Sequence, residues 1–100
     1  MFIKKILIIS LLAFSQFAFA DKMAAMSSGC LGCHQVEVKT VGPAIKDIVK
    51  KHKGADIEQL VQIVKNGKSG DQLTWGTTPM PPNAASVENI RKAIQWMMTH

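Results

Sequence analysis

Large aromatic side chains are nearly missing from most of this 100-residue chain. It has no tyrosine, and all four phenylalanines (Phe2, Phe14, Phe17, Phe19) fall within the first 20 residues. Beyond them only Trp75 and Trp96 remain. A domain of about 80 residues usually needs a staple, a metal or unusually good packing to stand alone. This aromatic-poor chain is therefore expected to draw part of its core from a large bound group. Cysteine is scarce too, with Cys30 and Cys33 the only copies. No Arg-rich run and no aromatic stacking platform is present, which argues against nucleic-acid binding. No convincing strand alternation appears either, which argues against the alternating strand-helix folds that carry Cys-x-x-Cys redox sites.

The first 20 residues stand apart from the rest. Lys4 and Lys5 precede a mostly apolar run from Ile6 to Phe14, and Ala18-Phe19-Ala20 follows. A charged start, an apolar middle and a small-x-small end describe a secretory signal, with cleavage expected after Ala20. The apolar run is shorter than a membrane span needs, and Ser15 and Gln16 break it. Residues 21–100 are expected to form one exported domain, free of stable membrane insertion. No internal repeat or linker divides it. Ten basic and seven acidic residues remain in it, a net charge of +3. That mild excess favours encounters with acidic partners.

What the chain does hold is Cys30-Leu31-Gly32-Cys33-His34. Two thiols three apart, followed at once by an imidazole, form the pattern of covalent c-type haem attachment. Each thiol can add to one of two neighbouring vinyl groups on the porphyrin edge, and the imidazole can then reach the iron. Three other readings stay open: a simple disulfide, a redox dithiol, and a zinc site completed by His34 and His52.

The remaining segments read mostly as helix. Residues 21–28 are rich in Ala and Met, and Gly29 is a helix stop; Met23 and Met26 are expected as core fillers. After a loop, Gly42-Pro43 is expected to open a second helix with Pro43 at its first position, closed by Gly54. Its apolar face holds Ile45, Ile48, Val49 and His52. A third helix over 56–66 is capped by Asp56, with Gln59 in a capping-box position, and Asn66-Gly67 ends it. It buries Ile57, Leu60, Val61 and Val64. Ser86 caps a last helix running to His100, with Ile90, Ala93, Ile94 and Met97 inward.

Between the last two helices lies a long stretch, residues 68–85, with no helical period and several breakers. So long a loop in so small a domain is usually functional or disordered. It sets Met80 between Pro79 and Pro81, which restrict the backbone strongly. A haem iron needs axial ligands, and the position opposite the first can hold water, a gas, a His or a Met. His34 is the proximal candidate, and Met80 is the best candidate for the opposite face. Histidine plus methionine fills the coordination sphere and raises the potential. That leaves no open position for substrate and favours electron transfer over catalysis.

Three segments in order carry a family resemblance: Cys30 to His34, Val41-Gly42-Pro43-Ala44, and Trp75-Gly76 leading into Pro79-Met80-Pro81-Pro82-Asn83. Across residues 21–100 the chain resembles the small bacterial class I cytochromes c. The resemblance implies an all-α fold of about four short helices wrapped around one covalently bound haem c. It implies His34 and Met80 as iron ligands, and a Pro43 carbonyl accepting from the His34 ring. It implies a Trp75 indole donating to a haem propionate, and Asn83 donating towards the Met80 sulfur. The expected function is periplasmic electron carriage between redox proteins, as a monomer and not an enzyme. The alternative is a haem enzyme or gas sensor with a labile distal ligand. Against it, there is no second Cys-x-x-Cys-His and no distal histidine in residues 68–85. Lys39, Lys46, Lys50, Lys53 and Lys68 are candidates for a docking ring around the exposed haem edge.

Overall fold

The computed structural model describes residues 19–100; most of the expected signal segment lies outside the described residues. Among the described residues the chain is helical throughout its regular parts. Helix α1 covers residues 19–27, and α2 is a single turn, Cys30–Cys33. Then come α3, Ile45–Lys51, α4, Ile57–Asn66, a 3-10 turn at Gly70–Gln72 and α5, Val87–Met97. The only β pairing among them is an isolated antiparallel bridge between Lys68 and Met80.

Caps explain where these helices begin. The Asp56 carboxylate accepts from the Glu58 N–H at 3.1 Å and starts α4. Ser86 Oγ accepts from the Asn89 N–H at 3.2 Å and starts α5. Each satisfies one of the orphan donors of a helix N-terminus. At α3 the expectation is corrected. Ala44 is the N-cap, and Pro43 stands one residue before it. The Pro43 carbonyl is engaged by the His34 ring, which holds Pro43 in the preceding loop. His52, not Gly54, caps the end of α3. Helix α5 likewise stops at Met97, three residues short of His100.

The core centres on the packing of α4 against α5. Leu60, Val61, Ile90 and Ile94 form one buried cluster, flanked by Ile57, Val64, Val87 and Met98. Ile45, Val61 and Ile90 are fully enclosed, and burying such side chains contributes about 1.5–3 kcal/mol each. At the rim, the Arg91 guanidinium holds the Glu58 carboxylate through two nitrogens. That contact keeps the Glu58 carboxyl below its usual range. In α1 the buried face consists of Ala24 and Ala25, while Met23 and Met26 are exposed. The methionine spacing was therefore a poor guide: two small adjacent residues carry the contact there.

Candidate functional site

The site begins at the break between α1 and α2. Gly29 has φ 77, a left-handed conformation that glycine adopts without the penalty of a Cβ. The chain turns there, and Cys30 to Cys33 complete one helical turn, closed by the His34 N–H on the Cys30 carbonyl at 2.9 Å. Residues three apart on a helical turn lie on the same side, so the two sulfurs share a face. Both thiols are free; Cys30 is half-buried and Cys33 exposed. Burial, opposed by a backbone hydrogen bond and assisted by the charge of Cys33, pushes the Cys30 thiol upward in pKa. Among the described residues no three His, Cys, Asp or Glu side chains gather as a metal set.

His34 leaves the turn in an extended conformation. Its Nδ1 lies 2.8 Å from the Pro43 carbonyl oxygen. A carbonyl can only accept, so Nδ1 carries the proton, and in the neutral ring Nε2 keeps its lone pair. This is the arrangement of a metal-ligating histidine whose other nitrogen is tied to an acceptor. The loop between His34 and Pro43 is folded to make that possible. The Gly42 N–H and the Thr40 hydroxyl both donate to the Cys33 carbonyl at 2.8 Å. Gln35 and Val36 carbonyls accept from the Ile45 and Lys46 N–H groups, at 2.8 and 3.2 Å. Gly42 lies against the imidazole itself: a Cβ there would stand 2.8 Å from Nδ1 and 3.2 Å from Nε2.

Met80 is half-buried in the long loop. Its main chain exchanges two hydrogen bonds with Lys68, at 2.8 and 2.9 Å. Asn83 makes two side-chain contacts. Its amide donates to the Ser28 carbonyl at 3.0 Å, and its Oδ1 accepts from the Ala85 N–H at 2.9 Å. Asn83 thus pins the Met80 loop to the end of α1, 55 residues away in sequence, and it makes no hydrogen bond to the Met80 sulfur. Trp75 is 40 % exposed, with the Lys51 ammonium 5.9 Å from its ring centroid, within cation–π range. Lys39, Lys46, Lys50 and Lys53 are exposed. Lys46 is paired with Glu37 at 2.8 Å, and Lys68 reaches the Thr74 hydroxyl at 3.5 Å.

These donors fit a covalently attached haem. Two free thiols stand on one helical turn, an oriented imidazole follows with Nε2 available, and a thioether sits on a restrained loop. The roles of Gly42, Thr40 and the Lys68 bridge were not legible in the sequence. Gly42-Pro43 reads there as a helix opener and Asn66-Gly67 as a helix stop. Neither dipeptide says what its backbone will touch.

Comparison with known proteins agrees with this geometry. The family model for cytochrome c matches residues 20–100. Cytochrome c-551 of Pseudomonas aeruginosa is 38% identical over 93 residues, covering 90% of this chain and 86% of that protein. Cytochrome c-552 of Nitrosomonas europaea is 41% identical over 93 residues, covering 90% and 87%. The crystal structure of the wild-type Nitrosomonas europaea cytochrome c552 superposes with a TM-score of 0.67 at 40% identity, over 76% of this chain and 94% of that one.

Proposed function

The chain belongs to the cytochrome c family, and from that premise we propose that it is a periplasmic carrier of single electrons, closed at iron by His34 and Met80. It carries one haem c, attached through its two cysteines, Cys30 and Cys33. Its relatives are cytochromes c-551 and c-552, and the chain is an electron carrier, not an enzyme. The bound haem supplies a one-electron ferric/ferrous couple. The protein supplies ligands, orientation and a dry environment.

The observation that carries the reading is the 2.8 Å contact from His34 Nδ1 to the Pro43 carbonyl. It fixes the ring so that Nε2 is the nitrogen that would hold the iron. The Met80 thioether, as the second ligand, would favour ferrous iron and raise the potential. Were His34 and Met80 both to hold the iron, no coordination position would remain for a substrate. Pro43 orients the proximal ring, Trp75 serves the propionate edge, and Asn83 holds the loop that bears Met80.

The working partners are redox proteins, met by a monomer carrying mostly exposed lysines. An acidic docking surface on them suits the net positive charge of the exported domain. Lys46 contributes least, because Glu37 offsets its charge. Export is consistent with the leader pattern, and no described helix is long and apolar enough to cross a membrane.

The test is spectroscopic. Oxidised holoprotein should show a far-red sulfur-to-iron absorption band that Met80→Ala abolishes, and reduced wild type should bind carbon monoxide slowly or not at all. Rapid carbon monoxide binding by the wild type at neutral pH would rule out Met80 ligation.

A further inference from the structure

The turn that ends α4 does more than stop a helix. Gly67 has φ 77 and ψ 177, and its N–H closes the helix on the Ile63 carbonyl at 2.8 Å. The next residue, Lys68, forms the bridge to Met80. A Cβ on Gly67 would lie 2.6 Å from the Met80 carbonyl oxygen, 2.7 Å from the Pro82 nitrogen and 2.9 Å from the Pro81 carbonyl carbon. All three are backbone atoms, so no side-chain rotation relieves the overlap. Two more bonds hold the same segment to the same helix end. The Asn83 N–H donates to the Val64 carbonyl at 3.2 Å, and Lys65 Nζ donates to the Ala85 carbonyl at 2.8 Å.

Residues 64–68 therefore grip residues 80–85 at three levels. Pro79, Pro81 and Pro82 stiffen the gripped segment, so a displacement at Gly67 is passed on to Met80 instead of being absorbed locally. We propose that Gly67 is a positioning residue for the axial thioether: its missing side chain lets the Met80–Pro82 backbone seat on the end of α4, and that seat sets how far the Met80 sulfur reaches. The inference rests on Met80 being the distal ligand, as proposed above. Gly67 touches neither haem nor iron in this account and acts through the Met80 main chain.

Imidazole titration of ferric holoprotein tests it. Exogenous imidazole occupies the distal position only in molecules whose sulfur has let go, so its apparent affinity follows that fraction. Gly67→Ala should bind imidazole roughly tenfold more tightly than wild type, and Lys65→Met, which adds no backbone overlap, about threefold more tightly. Asp56→Ala removes the cap at the far end of α4 and controls for general destabilisation; it should stay within about twofold of wild type. The far-red band should weaken in the same order. Wild-type affinity and band intensity in Gly67→Ala would overturn the proposal. Should Gly67→Ala give no holoprotein, Lys65→Met against Asp56→Ala decides, and equal affinities overturn it. A wild type that already binds imidazole as tightly as Met80→Ala would instead remove the ligand assignment, and the proposal with it.

Discussion

Replacing Gly42 by alanine isolates the contact that orients the proximal ligand. Gly42 is not among the glycines with positive φ, so alanine meets no backbone penalty there. The whole effect comes from the added methyl. It would sit 2.8 Å from His34 Nδ1, where ordinary contact begins near 3.4 Å. The ring must move by more than half an ångström, or the loop must. Either response strains the 2.8 Å bond from Nδ1 to Pro43. Overpacking of this kind costs about 1–3 kcal/mol, and losing the hydrogen bond costs about 0.5–1.5 kcal/mol more. For a domain of this size each kcal/mol lowers the melting temperature by roughly 4–8 °C. The two costs together, about 1.5–4.5 kcal/mol, lower the melting temperature of holoprotein by roughly 6–36 °C, read by circular dichroism. Gly32→Ala is the matched control. It lies inside α2 with open space around its Cβ position, and alanine there should be neutral or stabilising. A Gly42→Ala protein melting within about 2 °C of wild type, with unshifted His34 ring resonances, would refute the reasoning.

Other consequences are independent of that contact. Ile90 is fully enclosed between α4 and α5, so Ile90→Ala should lower unfolding free energy by about 2–5 kcal/mol in denaturant titration; a smaller loss would mean that this core is not the stabilising one. Burial first, then Lys68 and Lys51, hold His52 below the ordinary histidine range. Its neutral form is favoured in the fold, so that stability is full above the unfolded value and is lost as pH falls through the folded one. His52→Gln should flatten the melting temperature against pH in that interval, and parallel curves for the two proteins would dismiss the assignment. Electron transfer to an acidic protein partner should slow as salt rises, because screening shortens to a Debye length of about 10 Å at 0.1 M. Rates independent of salt would remove electrostatic steering and leave the carrier function intact.

The sequence carried most of the fold because its signals were local. Asp56 and Ser86 announce helix starts by residue type, and both make the expected cap bonds. The 3.6-residue period marked Leu60, Val61, Ile90 and Ile94, which form the core. Cys30, Cys33 and His34 were readable for the same reason: five consecutive residues contain the whole chemical pattern. What escaped was non-local. Gly67 reads as a helix stop, yet its lack of a side chain answers to Met80 and Pro82, more than ten residues on. Asn83 donates to the Ser28 carbonyl, 55 residues away in sequence, a contact its residue type does not announce. Met23 and Met26 carried apolar mass at helical spacing, but the neighbouring alanines took the buried face. Side-chain type alone could not show which face of a short helix the fold would cover.

The most direct test of the account is an intact-mass spectrum of exported protein, made where covalent haem attachment is active and treated under denaturing conditions with a thiol-alkylating reagent. The account predicts one added haem and no alkylation. A chain without haem that takes two alkyl groups would contradict it.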